Sequence, residues 1–294
     1  MAGAREWDPE VFVDEAEAAA LFGGRFERVR PLATGWDNTV FLADGAWVLR
    51  FPRRRIAVAG VEREIAALPR LAGRLPLPVP VPEVVGEPSE RFPWPFWAAR
   101  IVPGRELVDA GLPDGARGPL AADAGAFLRA LHGSAIDVEL PHDPFKRGDP
   151  GVRAPMARER LARLEGWGPV AAVTDLLAEG ERAGAGDGPP VIVHGDLHVR
   201  HLLVRPDGRA GGVIDWGDLC LADPAVDLSL AYAAFAGDDR AAFLDAYGPV
   251  SPGTELRARV LAVFLSAALA EYAQDTGRSA LHAETINGLR RAAG

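Results

Sequence analysis

The most informative segment of the chain runs Val193-His194-Gly195-Asp196-Leu197-His198-Val199-Arg200-His201-Leu202-Leu203-Val204. It places acidic, basic and imidazole side chains between two short apolar runs that are typical of β-strands. The polar residues are therefore expected on a loop at the edge of a packed core. Because burying several such groups without partners costs several kcal/mol, the pattern predicts a ligand or a metal ion beside this loop.

A second acidic element follows on the next strand-like run. Val213-Ile214-Asp215-Trp216 ends that run, and Pro206-Asp207-Gly208 supplies the turn that precedes it. The two runs predict a hairpin with Asp215 at the end of a buried strand. Ligands of this kind at the ends of adjacent strands can share one cation.

Short apolar runs and turn residues dominate the first hundred residues. Asp44-Gly45 separates two of the runs and is a strong hairpin signal, so three antiparallel strands are expected there. A helical pattern with Glu62 and Glu64 follows, and two more strands are expected after it. The predicted strands are 28–32, 39–43, 47–51, 81–85 and 96–102, and the predicted helix is 58–73.

After Pro103-Gly104 the composition becomes helical, which places a domain boundary near residue 103. The pattern predicts a small β-rich lobe followed by a larger helical lobe that contains the hairpin. The helices of the larger lobe are expected over 120–131, 155–166, 169–183 and from 224 to the end.

The composition is that of a globular protein. The chain has 294 residues, of which 48% are hydrophobic and 25% charged, and this excludes global disorder, collagen-like repeats and coiled-coil rods. The net charge of −9 comes entirely from residues 106–294. An acidic half disfavours nucleic-acid binding and is compatible with a cationic small-molecule partner, although simple solubility explains it equally well.

The cysteine content and the apolar runs predict the cellular compartment of the protein. The one cysteine, Cys220, excludes an internal disulfide and a zinc site built on thiolates. The N-terminus lacks the apolar region of a signal peptide, and the longest strongly apolar run, 260–270, is too short to span a bilayer. We therefore expect a cytoplasmic protein without a membrane segment.

Three motifs together carry a family resemblance. His194-Gly195-Asp196-Leu197-His198, Ile214-Asp215-Trp216 and Asp223-Pro224-Ala225-Val226-Asp227-Leu228 occur in the order and context of the aminoglycoside phosphotransferase family, which is related to eukaryotic-type protein kinases. The chain resembles this family over nearly its whole length. The resemblance implies an α+β, bilobal, protein-kinase-like fold. Residues 1–103 would form a nucleotide-binding lobe with an antiparallel sheet and a helix, and 104–294 a mainly helical lobe with the catalytic hairpin and the substrate site.

The same resemblance implies roles for residues of the hairpin. Asp196 matches the catalytic-loop aspartate that accepts the proton of the acceptor hydroxyl, and Asp215 matches the metal-binding aspartate. His201 stands where most of the family has asparagine as the second metal ligand. Since Mg²⁺ prefers oxygen ligands, this histidine implies either a weaker site that tolerates Mn²⁺ or the loss of the second metal site. Macrolide phosphotransferases share the histidine, which favours that branch.

Further matches concern the nucleotide, ATP or GTP. Arg50 stands in place of the lysine that holds the phosphates, and the chain has a single lysine, Lys146. The partner of Arg50 is expected to be Glu64, with Glu62 as second choice, although either acid could simply be solvated. The linker 98–102, through Ala99 and Ile101, is expected to offer backbone groups to the purine.

The sequence thus predicts a small-molecule O-phosphotransferase that moves the γ-phosphoryl group of ATP or GTP to a hydroxyl of an aminoglycoside or a macrolide, with Mg²⁺ as cofactor. Two other hypotheses remain open at this stage. One is a metal-dependent hydrolase that uses His194, His198 and His201 as zinc ligands, although Gly195 argues against a helical zinc motif. The other is a pseudokinase that binds nucleotide without turnover. The oligomeric state cannot be read from the sequence.

Overall fold

A computed structural model describes residues 9–35 and 37–294 of the chain. The first eight residues of the predicted N-terminal lobe, and residue 36, lie outside the described residues. The chain forms two compact units. Of the described residues, the first contains 9–35, 37–73, 79–102 and 136–138, and the second contains 74–78, 103–135 and 139–294.

The first unit is built on a five-stranded antiparallel sheet, in which the strands, counted along the chain, lie in the order first, second, third, fifth, fourth. The turn between the second and third strands contains Asp44 and Gly45, both with positive φ, as the hairpin signal predicts. All five predicted strands are present. They are β1 (Val29–Thr34), β2 (Asn38–Ala43), β3 (Trp47–Pro52), β4 (Val84–Gly86) and β5 (Phe96–Arg100).

The described part of this unit contains two α-helices. Helix α1 (Glu15–Leu21) begins at Asp14, whose carboxylate accepts a hydrogen bond from the Glu17 amide. Helix α2 (Arg55–Leu71) begins three residues before the predicted start. The core contains a group of aromatic rings in edge and stacked contacts, which join the sheet to the first helix and to the segment before β5. These rings are Phe22, Phe26, Phe41, Phe51, Phe92 and Phe96.

The second unit is mainly helical. The helix predicted over 155–166 begins five residues earlier, because Asp149 caps it and Pro150 occupies its first turn. The helices are α3 (Leu107–Ala110), α4 (Gly118–His132), α5 (Pro150–Leu161), α6 (Val170–Ala183), α7 (Ala225–Ala234), α8 (Gly237–Tyr247), α9 (Pro252–Thr276) and α10 (Ser279–Ala293).

Short strands in this unit hold the predicted hairpin. Leu202 pairs with Val213 and Leu203 with Gly212 in an antiparallel arrangement, as expected. Two strands that the sequence does not reveal flank the predicted ones, because their pairing partners lie far away in the chain. The strands are β6 (Arg105–Glu106), β7 (Val191–Val193), β8 (Leu202–Val204), β9 (Ala210–Val213) and β10 (Cys220–Ala222), with β6 paired to β8 and β10 to β7.

No helix within the described parts of the chain has both the length and the apolar character that crossing a bilayer requires.

Candidate active site

The loop between β7 and β8 is fixed by one buried carboxylate. Asp227, in the first turn of α7, accepts hydrogen bonds from the amides of His194 (2.7 Å) and Gly195 (3.0 Å). His132 Nε2 lies 3.2 Å from the same carboxylate. Because Asp227 is fully buried, these hydrogen bonds are shielded from water, and they hold the backbone immediately before Asp196 in one conformation.

The loop also requires a glycine. Gly195 has φ +90°, and a Cβ at this position would lie 2.2 Å from the carbonyl oxygen of Asp218. No side chain fits at that distance, so the close approach of the two backbone segments depends on glycine. This contact brings the residue before Asp196 against the segment that follows Asp215 and Trp216.

Asp196 lies at the centre of the loop, and its side chain is 28% exposed. Its Oδ1 accepts a hydrogen bond from Arg147 Nη1 at 2.9 Å. Its Oδ2 faces two imidazoles, at 3.6 Å from His198 Nε2 and 3.9 Å from His201 Nδ1. The carboxylate is therefore oriented through one oxygen while the other faces the histidines.

Arg147 contacts more than the aspartate. The same Nη1 donates to the Gly195 carbonyl oxygen at 2.9 Å, and Nη2 lies 2.8 Å from Asp218 Oδ2. Burial lowers the pKa of Arg147, but the charges of Asp196 and Asp218 outweigh burial, and the pKa is raised. Burial also raises the pKa of Asp218 despite the opposing charge of Arg147. The guanidinium thus joins two carboxylates in one charged cluster.

The hydrogen bonds of His194 and His198 assign their tautomers. His194 Nε2 lies 3.0 Å from the Ile214 carbonyl oxygen, which can only accept, and His194 Nδ1 accepts from the Asp196 amide at 3.2 Å. His198 Nδ1 accepts from the Arg200 amide at 3.3 Å, so the proton of the neutral ring is on Nε2, toward Asp196. Burial lowers the pKa of His194 to about 4 and that of His198 well below its usual value, and both rings are neutral near pH 7.

His201 has the opposite tautomer. Its Nδ1 donates to the Asp196 carbonyl oxygen at 2.7 Å, which leaves the lone pair of the neutral ring on Nε2. That nitrogen lies 3.4 Å from Asp215 Oδ2. Asp215 has φ +66°, a left-handed conformation that is costly for a residue with a side chain and is common at functional sites. The buried ring of Trp216 packs against His194, with ring centroids 4.7 Å apart.

The donor set fits a divalent cation at His201 and Asp215. A carboxylate oxygen and an imidazole lone pair face one another there, as two ligands of one ion would. Asp196, His198 and His201 also bring ligand atoms within 4.8 Å of one another. The three-histidine zinc site of the hydrolase hypothesis is not formed, however, because both ring nitrogens of His194 are used by the backbone.

The first unit contains a second arginine–carboxylate pair. Arg50 Nε, on β3, lies 3.1 Å from Glu64 Oε2, on α2, and Trp97 Nε1 donates to the same oxygen at 3.0 Å. Glu64 is fully buried and Arg50 is nearly so. Glu62 is exposed, so the structure gives Arg50 the partner that was expected first.

The two predicted purine-contacting residues lie at the end of β5. Ala99 is buried and pairs with Val48, whereas Ile101 is 40% exposed. The Ile101 amide donates to the Ala46 carbonyl oxygen at 3.0 Å. Any contact of the Ile101 backbone with a ligand would therefore use its carbonyl group.

Arg147 is the residue of the site that the sequence does not reveal. It lies in the loop before α5, in a stretch without helical or strand periodicity, 49 residues before its partner Asp196. Its contact with the carboxylate is created by the fold and leaves no local pattern.

Comparison with known proteins identifies the family. The profile of the phosphotransferase enzyme family known as APH matches residues 28–260, which is most of the chain. The chain belongs to this family. The resemblance expected from the three motifs is thereby confirmed, and so is the prediction that the protein is a phosphotransferase.

Solved structures show the same fold as this phosphotransferase. One is the GDP and kanamycin complex of APH(2")-IIia, with a TM-score of 0.67, 21% identity, and coverage of 93% of this chain and 96% of that one. Another is the apoenzyme of macrolide 2'-phosphotransferase MphH from Brachybacterium faecium, with a TM-score of 0.56, 26% identity, and coverage of 92% and 95%. The predicted α+β kinase-like fold, with its antiparallel N-terminal sheet and helical C-terminal part, is confirmed.

A curated relative matches only locally. The uncharacterized protein YcbJ of Bacillus subtilis (strain 168) is 39% identical over 56 residues, which is 19% of this phosphotransferase and 18% of YcbJ. The match therefore covers less than a fifth of either chain and carries no information on substrate.

Proposed function

We propose that this phosphotransferase moves the γ-phosphoryl group of ATP or GTP to a hydroxyl group of a small antibiotic-like molecule, an aminoglycoside or a macrolide, with Asp196 as general base. The observation that carries the proposal is the position of Asp196. Its carboxylate is partly exposed on a loop braced by Asp227, next to the His201 and Asp215 donor pair. Phosphoryl transfer depends on this kind of positioning and charge neutralisation more than on covalent chemistry of the protein.

Asp196 would accept the proton of the attacking hydroxyl through Oδ2. Arg147 already donates to Oδ1, whereas Oδ2 lies 3.6 Å from the Nε2–H of His198, beyond a normal hydrogen bond. His198 would not compete with Asp196 for the proton of the hydroxyl, because its neutral ring already carries a proton on Nε2. The family's use of an aspartate at this position supports the assignment.

A divalent cation would be held by His201 Nε2 and Asp215. When bound, Mg²⁺ would supply positive charge to the phosphates of the donor. The Asp196 carbonyl oxygen fixes the ring of His201 and keeps its Nε2 lone pair toward Asp215. Since one of the two ligands is a nitrogen, Mn²⁺ is expected to be accepted readily.

The nucleotide would be bound by residues of the first hundred. We assign Arg50 to the phosphates, Glu64 to holding Arg50 in place, and the backbone of Ala99 and Ile101 to the purine. Residues 1–103 would accordingly serve as the nucleotide-binding lobe, and residues 104–294 as the lobe with the catalytic loop and the substrate site. Similar structures described as GDP and ADP complexes support a nucleotide donor.

The acceptor class rests on the names of similar structures. One is described as a kanamycin complex and another as a macrolide 2'-phosphotransferase. An alcohol group is the proposed acceptor in either case. The only cysteine, Cys220, is a buried free thiol, which suits a reducing compartment such as the cytoplasm.

The test is mass spectrometry of a panel of aminoglycosides, macrolides and neutral sugars incubated with the protein, Mg²⁺ and ATP or GTP. We expect a gain of one phosphoryl group on one class. Asp196→Ala should lower turnover by roughly 10²- to 10⁴-fold and leave nucleotide binding intact, because it removes only the positioned base. The exposed acid Asp238, changed to alanine, is the matched control and should leave turnover unchanged.

Two outcomes would contradict the proposal. Unchanged turnover in Asp196→Ala would remove Asp196 from the mechanism. Nucleotide-dependent thermal stabilisation of both the wild type and Asp196→Ala, with no turnover in either, would favour the pseudokinase hypothesis.

A further inference from the structure

The loop before α5 holds Arg147 rigidly. The carboxylate of Asp143 accepts hydrogen bonds from the amides of Arg147 (2.7 Å) and Gly148 (2.8 Å), and the Asp143 amide donates to the Leu221 carbonyl oxygen. The Arg147 side chain is 24% exposed. Hydrogen bonds and ion pairs thus fix both the backbone and the guanidinium of Arg147, so this side chain is a rigid part of the site.

Arg147 changes the charge that Asp196 presents to an acceptor. Asp196 and Asp218 would form a strongly negative pair on their own, but the guanidinium lies within 2.9 Å of a carboxylate oxygen of each. An ammonium group that approached Asp196 would be repelled by the guanidinium of Arg147. It could not bind Oδ1, because that oxygen already accepts a hydrogen bond from Arg147. Like charges placed this close oppose binding.

Other carboxylates of the same unit are paired with arginine as well. At these four positions each carboxylate faces at least one guanidinium, so it attracts a polycation less than an unpaired carboxylate would. The pairs are Glu271 with Arg160 and Arg163, Glu284 with Arg117 and Arg291, Glu106 with Arg200 and Arg278, and Asp223 with Arg257.

We infer that Arg147 positions Asp196 through Oδ1 and excludes polycationic acceptors, so that the substrate is a neutral or singly charged hydroxyl compound. The inference rests on the proposed role of Asp196 as base. The sequence leaves aminoglycosides and macrolides open as acceptors, and the inference favours the macrolides, which carry fewer positive charges.

Binding measurements test the exclusion without turnover. Kanamycin, which carries several ammonium groups at pH 7, is titrated calorimetrically into the wild type and Arg147→Gln. The variant should bind kanamycin at least about tenfold more tightly, because it exposes two uncompensated carboxylates. The gain should shrink at high salt and disappear in Arg147→Gln/Asp218→Asn/Asp196→Asn. Equal affinity of the wild type and Arg147→Gln would overturn the inference.

The control for this experiment is Arg158→Gln. Arg158 lies 2.7 Å from Glu181, so the substitution breaks an arginine–carboxylate pair at another position of the same unit. Kanamycin affinity should be unchanged in this variant. An equal gain in Arg158→Gln would mean that general surface charge, and not the Asp196 site, controls binding of the polycation.

Kinetics test the positioning role. With a singly charged macrolide such as erythromycin, or with water as acceptor if no antibiotic is phosphorylated, Arg147→Gln should lower kcat about 10- to 100-fold with little change in the KM for nucleotide. Arg147→Lys should recover part of kcat, and the melting temperature should confirm that both variants are folded. An unchanged kcat in Arg147→Gln would overturn the positioning role.

The two experiments separate the two proposals. If no antibiotic is phosphorylated but kanamycin affinity rises in Arg147→Gln, the proposal of an antibiotic acceptor is wrong, and the proposal that Arg147 excludes polycations is supported. If the wild type phosphorylates kanamycin and the macrolide with equal kcat/KM, the proposed phosphotransferase activity is supported, and the proposal that Arg147 excludes polycations is wrong.

Discussion

Two arginine–carboxylate sites, one in each unit, differ in burial. In the first unit, Arg50 and Glu64 are almost completely buried, and Trp97 donates to the same carboxylate. In the second unit, Arg147 lies between Asp196 and Asp218, and all three side chains remain 24–29% exposed. The same kind of ion pair is therefore inside a core in the first unit and partly exposed to solvent in the second.

This difference in burial predicts a large effect on stability for the first pair and a small one for the second. A buried charge that loses its partner cannot be solvated, so breaking the Arg50–Glu64 pair should destabilise the fold. A partly exposed carboxylate that loses its arginine is still hydrated, so breaking the Arg147–Asp196 contact should alter function with a small effect on stability.

The largest effect on stability is expected for Glu64→Ala. The substitution leaves Arg50 buried without its carboxylate and removes the acceptor of Trp97, which should lower the free energy of unfolding by about 3–5 kcal/mol. Urea unfolding followed by tryptophan fluorescence measures this change. Glu62→Ala, two residues earlier on the exposed side of α2, is the matched control and should show no measurable loss. Equal stability of the two variants would contradict the structural role of Glu64.

Asp215→Asn should have an intermediate effect on function. It removes the charged member of the proposed cation site, so nucleotide affinity in the presence of Mg²⁺ should fall at least about tenfold, while affinity in the presence of a chelator should be unchanged. Titration of nucleotide with and without Mg²⁺ measures both. Binding at limiting Mg²⁺ equal to that of the wild type would remove Asp215 from the metal site.

The pH dependence of stability should show a smaller and graded effect. The folded-state pKa values of His194, about 4, and of His198 lie below the value of an unfolded histidine, because both rings are buried. Between pH 6.5 and 5 the unfolded chain therefore binds protons that the folded chain does not. The free energy of unfolding should fall as the pH falls, by up to about 1.4 kcal/mol per pH unit for each histidine.

His198→Asn tests this dependence. The variant should lose stability less steeply than the wild type as the pH is lowered from 6.5 to 5, because one of the two buried histidines is absent. His142→Asn, at an exposed position, is the control and should keep the slope of the wild type. A slope in His198→Asn identical to that of the wild type would show that His198 does not titrate in this way.

The fold was predictable because its signals are local. The Asp44-Gly45 turn, the strand-like runs around it and the contiguous His194–His198 motif each specify structure within a few residues, and the structure forms the five-stranded sheet and the hairpin at those positions. The strands that the sequence does not predict are those that form by pairing with a strand far away in the chain. The strand Cys220–Ala222 has no pattern of its own and forms only because Val191–Val193 lies beside it.

By itself, the sequence determined the order of the elements, the family, and the identities of Asp196, Asp215 and His201 as candidates, since motif and periodicity are properties of neighbouring residues. Only the tertiary structure decided which groups meet. It paired Arg50 with Glu64, used both nitrogens of His194 for the backbone, directed the His201 lone pair toward Asp215, and brought Arg147 to Asp196 from 49 residues away. The physical reason is that hydrogen bonds and ion pairs depend on distances of about 3 Å, and packing alone sets such distances between remote residues.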